Sequence, residues 1–322
     1  MAQNYSKMES KDKIKRNKEI PFDLVSVVVT TKNEEKNIAN CLQSIMEQTY
    51  PEKLIETIVI DNQSADGTKD IARKYTDKVF DKGPERSAQR NFGIFSIANG
   101  AYILFLDADM ILSPYLVAHC VDQIKAENCL GLYIPEIILG RSYWCRVRRF
   151  ERSFYDGTVI DVARFVRKDA FERVKGFDES LSGPEDWDFD KKLRSLGTVG
   201  LADGTSDDNT DLSQWKQAGL VSGLGVDPSK YGDVIFHNES GFNLKTYIRK
   251  KGYYAHDMDL YIAKWGRKDS DIICQLGFWY RFIGVFFEQG KWKKFIAHPD
   301  LDIGMYLLRF LVGFRYLLRK KL

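Results

Sequence analysis

Two carboxylates separated by one residue, Asp107 and Asp109, are the clearest candidates for chemistry in this sequence. They follow the apolar run YILFL (102–106), which predicts a buried strand. Carboxylates placed in this way can bind a hard divalent cation together with a diphosphate. Such a cation would neutralise the charge that develops on a departing nucleoside diphosphate. Asp-x-Asp also occurs in ordinary turns at strand ends, so the pair needs support from its surroundings.

Polar side chains follow two other predicted strands. The run 24–30 is followed by TKNE (31–34), and the run 55–61 ends in Asp61 with Asn62 after it. Ligands of open α/β sheets bind at the carboxyl ends of the strands. Three strand ends with carboxylates or amides therefore predict one shared polar site.

The order of strands and helices predicts the fold class. Predicted strands alternate with predicted helices along the first third of the chain: strands 24–30, 55–61, 78–81 and 102–107, and helices 34–48, 66–75 and 85–98. This order predicts a doubly wound α/β fold with a mostly parallel sheet and helices on both faces. Later strands are expected at 158–166 and 233–238, with a helix that begins near Pro184. The Gly-, Asp- and Ser-rich stretch 197–231 is expected to be an inserted loop.

The composition excludes a wholly disordered chain, and the basic C-terminal part favours an anionic binding partner. The 322 residues are 44% hydrophobic and 29% charged, and the net charge is +3. Residues 241–322 contain 16 Lys and Arg against seven Asp and Glu, a local charge of +9, so the rest of the chain carries −6. A basic end favours a membrane face, a phosphorylated lipid or nucleic acid. The five cysteines contain no Cys-x-x-Cys pair, which favours reduced core thiols in a cytosolic protein.

The chain divides into three predicted parts. Residues 1–22 are polar and basic and are expected to form a disordered arm without a signal peptide. Residues 23–240 are expected to form the α/β domain, in two halves (23–110 and 111–240). Residues 241–322 are expected to form a helical, basic, membrane-associating region.

Two apolar segments near the end of the chain predict amphipathic helices at a membrane surface. Segments 272–287 and 303–318 are each 16 residues long and are interrupted by Arg281, Arg309 and Arg315. A helix of this length is about 24 Å long, shorter than the roughly 30 Å hydrocarbon core of a bilayer. We therefore expect helices that lie in the interface, with arginines that reach lipid phosphates. The alternative is that both helices pack on the catalytic domain as ordinary core.

Five segments, in this order, resemble glycosyltransferase family 2, which has the GT-A fold. The segments lie within residues 24–195: VSVVVTTKNEEKNIANCLQSI, IVIDNQSADGT, GPERSAQRNFG, GAYILFLDADM and GPEDWD. The resemblance implies a glycosyltransferase that takes a sugar from a nucleotide-sugar donor, with Mg²⁺ or Mn²⁺ as cofactor. It makes residues 23–240 the catalytic domain, with a nucleotide-binding half (23–110) and an acceptor half (111–240). The sequence departs from the usual family pattern at Thr30 to Asn33, at Asp61-Asn62 and in the 197–231 insertion.

The resemblance also implies a role for individual residues. Asp186 matches the family's catalytic base, and Glu185 matches its neighbour on the acceptor side. Asp109 and His237 match residues near the metal. Residues expected to line the donor pocket are Thr31, Asn33, Glu34, Asp61, Arg86, Arg90, Asn91 and Asp107.

Several of these residues have simpler interpretations. Arg86 and Arg90 are four residues apart and could form a solvated helix face. Glu34 could be a first-turn acid that interacts with a helix dipole. A single histidine such as His237 is often structural.

These observations together predict an inverting transferase. A carboxylate would take the proton of an acceptor hydroxyl, and cations would stabilise the leaving diphosphate. The expected donor is a UDP-sugar, and the expected acceptor is a lipid-linked polyprenyl carrier in cell-surface glycan synthesis. The expected location is the cytoplasmic, inner face of the cell membrane, with no nucleic acid bound. Three alternatives remain open: a polyprenyl-phosphate sugar synthase, a nucleotidyltransferase, and a nucleic-acid-binding protein that uses the basic end.

Overall fold

The computed structural model describes residues 23–204, 211–254 and 257–319. The expected disordered arm, 1–22, lies outside the described residues. So do residues 205–210 of the expected insertion and the last three residues of the basic C-terminus.

A seven-stranded, mostly parallel sheet forms the centre of the molecule. Its strands, in spatial order, are β3 Val79–Asp81, β2 Ile55–Asp61, β1 Val25–Thr31, β4 Tyr102–Asp107, β8 Ala163–Arg167, β6 Gly131–Tyr133 and β9 Val199–Leu201. The first four strands are parallel, β8 is antiparallel to both of its neighbours, and β9 is parallel to β6. The α/β fold predicted from the alternation of elements is confirmed.

Helices cover both faces of this sheet. They are α1 Ile38–Met46, α2 Thr68–Ala72, α3 Arg86–Phe92, α4 Leu116–Ala126, α6 Lys168–Arg173 and α7 Glu185–Leu196. Strand β1 is buried on both sides: Val27 and Val29 belong to the core on one face, and Val28 belongs to the core on the other. Because successive side chains of a strand point to opposite faces, a continuous run of β-branched residues fills both cores.

A second, three-stranded sheet lies beside the first. It consists of β5 Met110–Leu112, β10 Ile235–Asn238 and β7 Glu136–Leu139, with β10 in the middle. Strand β10 is antiparallel to β5 and parallel to β7, which places His237 opposite Met110. This pairing brings a late segment of the chain beside Asp109.

The structure differs from two of the expected elements in the middle of the chain. The strand expected over 158–166 begins only at Ala163, because residues 155–161 form consecutive hydrogen-bonded turns. The stretch 197–231 contributes strand β9 and helix α8 Gln217–Gly223 instead of a loop alone. Trp215 and Val221 from this stretch pack on Phe236 in a small core. Strand β9 has only three residues, too few for an alternating pattern to show in the sequence.

Among the described residues six α-helices follow β10, and residues of α9, α12, α13 and α14 pack with α5 Tyr143–Arg152. They are α9 Leu244–Tyr254, α10 Met258–Trp265, α11 Ser270–Leu276, α12 Phe278–Phe282, α13 Trp292–Ala297 and α14 Pro299–Arg319. The single helix expected over 272–287 is wrong, because extended backbone at Gly277 separates α11 from α12. Among the described residues, no helix is both long enough and apolar enough to cross a membrane.

Helix α14 has an apolar inner face and an apolar outer face. Leu301, Met305 and Leu308 are buried in a core that includes residues of α5. Arg309 is also buried and forms an ion pair with Glu151 of α5 at 3.1 Å. The expectation that Arg309 reaches toward lipid phosphate is therefore wrong, since its charge is held inside the protein.

Candidate active site

The carboxyl ends of β1, β2 and β4 lie side by side. In the strand register Thr31 is opposite Asp61, and Thr30 is opposite Asp107. The Thr30 hydroxyl donates a 3.1 Å hydrogen bond to Asp107. The structure thus brings together the polar strand ends that the sequence analysis grouped into one site.

Arg90 is the central cation of the site and joins two of the expected residues. Its Nη2 lies 3.1 Å from Oδ1 of Asp107, and its Nη1 lies 2.7 Å from Oδ1 of Asp186. The Arg90 side chain is fully buried, and its guanidinium lies 4.9 Å from the ring centre of Phe105 and 5.1 Å from that of Phe177. A solvated helix face is therefore the wrong interpretation of Arg90.

Arg86 lies one helical turn before Arg90 and contacts the same group of carboxylates. Its Nη1 is 3.1 Å from Asp107, and its Nη2 is 3.6 Å from Glu185. Burial by itself would raise the pKa of Asp107, but the guanidinium groups of Arg86 and Arg90 outweigh burial and hold that pKa well below its usual range. Asp107 is therefore a stable anion between two arginines.

Glu185 and Asp186 begin helix α7 in different environments. The Glu185 side chain is buried, accepts a hydrogen bond from the Gly183 backbone N–H, and has its pKa raised by burial and then by the charge of Asp186. The Asp186 side chain is a quarter exposed and is ion-paired with Arg90. Of the two, Asp186 has the more exposed carboxylate.

A loop held by hydrogen bonds forms the rim of the site beside β1 and β2. Asp61 is buried and accepts hydrogen bonds from the Ser64 backbone N–H at 2.7 Å and the Ser64 hydroxyl at 2.5 Å. The Ser64 hydroxyl also accepts from the Asn33 backbone N–H at 2.7 Å, and Thr68 accepts from the Glu34 N–H at 2.8 Å. The loop after β1 is therefore fixed to the loop after β2.

Asn91 is hydrogen-bonded to the segment that precedes α7. Its amide nitrogen donates to the Phe177 carbonyl and to Glu179, each at 2.9 Å, and its carbonyl accepts from the Phe177 N–H at 2.9 Å. These bonds occupy the amide on both sides. Asn91 therefore holds the loop before α7, and its expected place beside the donor stays a prediction.

Asp109 and His237 form the candidate metal pair. His237 Nε2 lies 3.2 Å from Asp109 Oδ2, and Asp109 Oδ1 is buried without a hydrogen-bond partner among the described residues. Carboxylate oxygens suit Mn²⁺ and Mg²⁺, whereas an imidazole nitrogen is the less usual ligand for these ions. The described residues contain no cluster of three or more ligating side chains. The pair therefore fits a cation that takes its remaining ligands from a diphosphate and water.

Glu136 lies beside the Nδ1 of His237, and the sequence analysis did not predict it as a site residue. Its Oε2 lies 3.6 Å from His237 Nδ1, and its two oxygens contact Arg164 Nε at 2.6 Å and Arg152 Nε at 3.4 Å. All three partners of the ion-pair cluster, Glu136, Arg152 and Arg164, are buried. The sequence does contain a signal for this residue, because Glu136 is the single charged residue of the otherwise apolar run LYIPEIIL.

The C-terminal helices contact the loop and helix that carry Asp186. The Ser182 N–H donates to Asp257 at 2.9 Å just before α7. Trp265 of α10 donates from its indole to Asp188 at 2.8 Å, and Lys264 contacts the same carboxylate at 2.8 Å. The C-terminal region thus forms part of the support of the site.

Comparison with known proteins identifies the domain. Residues 26–173 match the family model for glycosyl transferase family 2. The chain carries a glycosyl transferase family 2 domain. Strands β2 to β4 and all of β1 except Val25, with Arg86, Arg90, Asp107 and Asp109, lie inside the matched residues. Glu185, Asp186 and His237 lie beyond them.

Curated relatives of this family 2 domain match only part of their own length. The chain is 40% identical over 97 residues to glycosyltransferase AglE of Haloferax volcanii, a match that covers 28% of this chain and 31% of the relative. It is 38% identical over 148 residues to the poly(ribitol-phosphate) beta-glucosyltransferase of Bacillus spizizenii, covering 43% of this chain and 22% of the relative. The matches to these two relatives therefore span less than a third of each protein.

Solved structures confirm the GT-A fold of the family 2 domain. TarS 1–349 from S. aureus in complex with UDP-GlcNAc aligns with a TM-score of 0.51 and 18% identity, over 88% of this chain and 79% of that chain. The mannosyltransferase PcManGT from Pyrobaculum calidifontis, in complex with GDP-Man and Mn²⁺, aligns with a TM-score of 0.53 and 17% identity, over 92% of this chain and 88% of that chain. At these identities the likeness concerns the fold.

Proposed function

We propose that this chain is an inverting glycosyltransferase that moves a sugar from a UDP-sugar to a hydroxyl of a lipid-linked acceptor in cell-surface glycan synthesis. The observation that carries the proposal is the buried Arg90, which joins Asp107 at the donor-side strand end to Asp186 at the start of α7. This arrangement sets a fixed cation between a candidate donor-binding carboxylate and a candidate base. The family 2 domain supplies the class of reaction.

Asp186 acts as the base in this proposal. Its carboxylate would take the proton of the acceptor hydroxyl as that oxygen attacks the anomeric carbon from the side opposite the diphosphate. The ion pair with Arg90 fixes the orientation of the carboxylate. Glu185, whose pKa is raised, would remain a hydrogen-bonding neighbour beside the acceptor. The bond from the anomeric carbon to the diphosphate breaks as the new glycosidic bond forms.

Asp109 and His237 would hold Mg²⁺ or Mn²⁺. The cation, when bound, would neutralise charge on the leaving diphosphate. The unpartnered, buried oxygen of Asp109 supports this assignment, because a buried carboxylate oxygen without a partner is costly unless a ligand satisfies it. Arg86 contacts Asp107 and is placed to add positive charge on the donor side.

The rim that contains Thr31, Asn33, Glu34 and Asp61 would bind the nucleotide. Thr31 Oγ1 is buried without a hydrogen-bond partner among the described residues, so it is available to a ligand. UDP as the nucleotide is supported by the structural neighbour in complex with UDP-GlcNAc, whereas the neighbour in complex with GDP-Man makes GDP the competing choice. Direct binding measurements decide between them.

A lipid-linked acceptor is supported by the exposed apolar surface of the C-terminal helices. The outer face of α14 exposes Ile303, Leu307, Phe310 and Phe314, spaced so that they share one side of the helix. Its neighbours α11 to α13 add Ile273, Phe278, Trp279, Trp292 and Ile296 to the exposed apolar residues. So large an exposed apolar set favours an interaction surface, and basic residues such as Lys293 and Lys294 favour an anionic leaflet. We place the protein peripherally on the cytoplasmic, inner face of the membrane.

Nucleotide binding tests the proposal before any acceptor is known. The protein would be mixed with UDP, GDP, UDP-sugars and GDP-sugars, each with and without Mn²⁺, and thermal stability and calorimetric heat would be recorded. A nucleotide that binds the folded state raises the melting temperature. We expect one nucleotide series to stabilise the protein only with Mn²⁺, and we expect Asp109→Ala to abolish the Mn²⁺ requirement together with tight binding. No stabilisation by any nucleotide, with or without anionic vesicles, would overturn the proposal.

A further inference from the structure

Arginine and lysine side chains from α5, α9 and α12 lie against two tyrosine rings. The Arg148 guanidinium and the Lys251 ammonium are 4.9 Å and 5.5 Å from the ring centre of Tyr247. The Arg281 guanidinium is 5.1 Å from the ring centre of Tyr155, which follows α5. The face of a ring attracts a cation but has no net charge, so the tyrosines hold these charges without neutralising them. We call these five residues the basic cluster.

The carboxylates beside the basic cluster are already paired. Glu151 contacts Arg148 at 2.9 Å and Arg309 at 3.1 Å. Glu239 contacts Arg148 at 3.2 Å. The three cations of the cluster and Arg309 are thus ion-paired with only these two carboxylates among the described residues. The region therefore has more positive than negative charge.

Lys251 and Arg281 carry the surplus charge, because neither has an ion pair among the described residues. Lys251 is exposed to solvent, and Arg281 is half-buried. The pKa of Lys251 is nevertheless lowered to about 8, first because protein surrounds its ammonium and then because of the charge of Arg148. A lysine that solvent reaches, but that protein and like charge surround, lies in a recess of the surface. A bound anion would relieve the repulsion there.

Tyr247 adds a neutral donor to the two unpaired cations. Its hydroxyl makes no hydrogen bond with a described residue, and its oxygen is not enclosed by protein. A guanidinium, an ammonium and a phenol O–H can all donate to one acceptor group. An anion with several oxygens, such as a phosphate, suits this set, because hydrogen bonds between charged groups are the strong ones.

One side of the basic cluster adjoins the candidate active site. Glu239, whose carboxylate is held by Arg148, comes two residues after His237. Burial raises the pKa of Glu34 on the rim, and Lys250 of α9 is near enough to that carboxyl to oppose the rise. The cluster therefore lies beside the metal pair and the rim without including the residues of either.

The other side of the basic cluster adjoins the outer face of α14. Arg315 of α14 lies against Gly252, the residue after Lys251. Phe314, which precedes Arg315, is 52% exposed and belongs to the apolar outer face. A ligand with an apolar chain and an anionic group would therefore find a surface for the chain on α14 and a site for the anion in the cluster.

We infer that the basic cluster binds the phosphate or diphosphate group of the lipid-linked acceptor. Arg281, Lys251 and the hydroxyl of Tyr247 would donate hydrogen bonds to its oxygens. The lipid chain would lie along α14, and the sugar to be extended would point toward the candidate active site. The identity of the ligand rests on the proposed function, whereas the presence of an anion site does not.

A soluble prenyl diphosphate tests the inference without a membrane. The full chain in EDTA would be titrated with geranyl diphosphate and with inorganic pyrophosphate, and binding followed by calorimetry and thermal melting. We expect geranyl diphosphate to bind with a Kd below about 1 mM, more tightly than pyrophosphate, and to raise the melting temperature. Asp109→Ala should bind it as the wild type does, because the metal pair is not involved.

Lys251→Gln with Arg281→Gln removes the surplus charge of the cluster. We expect this double variant to weaken binding of geranyl diphosphate by about tenfold or more. Without ligand it should melt no lower than the wild type, because like charges no longer repel each other. Lys245→Gln with Lys268→Gln is the matched control, since both lysines are exposed and have no ion pair among the described residues, and its Kd should stay within about twofold.

Tyr247→Phe provides a second variant that leaves every charge in place. It removes only the free hydroxyl, and we expect it to weaken binding of geranyl diphosphate about threefold or more. If the double variant does not fold, this variant decides the test.

Acceptor kinetics separate this inference from the proposed function. We expect the Lys251→Gln, Arg281→Gln variant to raise KM for a polyprenyl-linked acceptor about tenfold or more, with kcat and UDP binding little changed. Loss of geranyl diphosphate binding in that variant, in a protein that transfers no sugar, would leave the anion site standing and count against the proposed function alone.

Four results would overturn the inference: geranyl diphosphate does not bind, the double variant and Tyr247→Phe both bind it as the wild type does, inorganic pyrophosphate binds equally well, or glycerophosphoglycerol binds more tightly. The last compound is the headgroup of phosphatidylglycerol, so its preference would assign the cluster to ordinary bilayer lipid.

Discussion

Arg90 and Asp186 are 96 positions apart in the sequence, yet the Arg90 Nη1 donates to Asp186 at 2.7 Å. Arg90 comes from α3, beside the donor-side strands, and Asp186 from the first turn of α7. The contact therefore ties the two halves of the site together through one fully buried guanidinium. Because a buried charge without partners is very costly, each side chain requires the other for a stable site.

Replacing Arg90 by lysine tests whether one side chain must contact both Asp107 and Asp186. A lysine has one point charge and cannot hold Asp107 and Asp186 at once as the planar fork does. We expect Arg90→Lys to lower kcat/KM by about 100-fold and to reduce the free energy of unfolding by roughly 2–3 kcal/mol. Urea denaturation and steady-state kinetics would measure these effects.

Arg73→Lys is the matched control for this change. Arg73 is exposed and paired with Asp70 at 3.1 Å on the surface. We expect its stability to stay within about 0.5 kcal/mol of the wild type. An Arg90→Lys enzyme with wild-type activity and stability would show that the bridge has no role.

Glu136 should position His237 for metal binding. Its carboxylate lies 3.6 Å from Nδ1 of His237 and is held by two arginines, while the other ring nitrogen of His237 lies 3.2 Å from Asp109. Carboxylates behind a metal-binding histidine typically change metal affinity by 10- to 100-fold when removed. We expect Glu136→Gln to weaken Mn²⁺ binding, measured by calorimetry with the selected nucleotide, by about tenfold.

Glu172→Gln provides the comparison for that measurement, because Glu172 is an exposed acid on α6 with a distant partner, Lys168, at 3.8 Å. Its Mn²⁺ affinity should equal that of the wild type. Equal Mn²⁺ affinity in folded Glu136→Gln would show that Glu136 serves only the ion-pair cluster.

The outer face of α14 should control membrane binding. Ile303 is 70% exposed and Phe310 is 63% exposed, so replacing them should not disturb the core beneath. We expect Ile303→Ser with Phe310→Ser to reduce partitioning onto vesicles rich in phosphatidylglycerol by at least tenfold, since each buried side chain contributes about 2 kcal/mol. Sedimentation with vesicles would measure the partition coefficient.

Exposed apolar residues elsewhere give the control for membrane binding. Met46 on α1 and Phe95 are 55% and 44% exposed, and neither belongs to the C-terminal helices. Their replacement by serine should leave partitioning unchanged. If both double variants partition as the wild type does, the outer face of α14 does not contact lipid.

Asp302 should make the stability of the protein depend on pH. Burial raises the pKa of Asp302 to about 6, and one of its oxygens has no partner among the described residues. Because the folded pKa exceeds the ordinary carboxyl value of about 3.9, the folded state holds the proton more strongly, and stability falls as pH rises from about 4 to about 6. We expect Asp302→Asn to remove this fall and to gain roughly 1–2 kcal/mol above pH 6.

Melting temperatures of the wild type and Asp302→Asn, measured from pH 4 to pH 8, would test whether stability falls as the pH rises. The two curves should meet near pH 4 and diverge as pH rises. Asp122→Asn, an exposed change on α4, should follow the wild type throughout. Curves that diverge as pH falls would contradict the raised pKa.

The strands that could be predicted are those with a clear apolar pattern in the sequence. Strands β2 and β4 have the predicted bounds, because each contains a buried apolar run (58–60 and 102–106) that ends at a carboxylate. The short strands β5, β6 and β9 have three residues each and depend on tertiary pairing, so periodicity could not reveal them.

The site was predictable where a motif places a residue at a strand end, and less so where contacts join distant segments. Asp107 lies where the strand pattern put it. Asn91 is the residue type expected in the family segment GPERSAQRNFG, but its side chain is hydrogen-bonded to Phe177, 86 positions later. Glu136 and Arg309 were missed as ion-pair members, since Arg309 meets Glu151 across 158 positions and no local pattern records such a partner.

The role of Asp186 is tested most directly by transfer with Asp186→Asn. Asparagine keeps an acceptor oxygen for Arg90 but cannot take a proton, so only the chemical step should suffer. The nucleotide sugar selected by calorimetry would be supplied with a membrane lipid extract as acceptor, and transfer would be followed with labelled sugar. Asp169→Asn, a surface change at a residue paired with Arg167, serves as the control.

We predict that Asp186→Asn binds the donor within about threefold of the wild type and transfers sugar at least 100-fold more slowly. Transfer by Asp186→Asn at the wild-type rate, with donor binding intact, would contradict the account. That outcome would indicate an acceptor that is already ionised, as in a polyprenyl-phosphate sugar synthase.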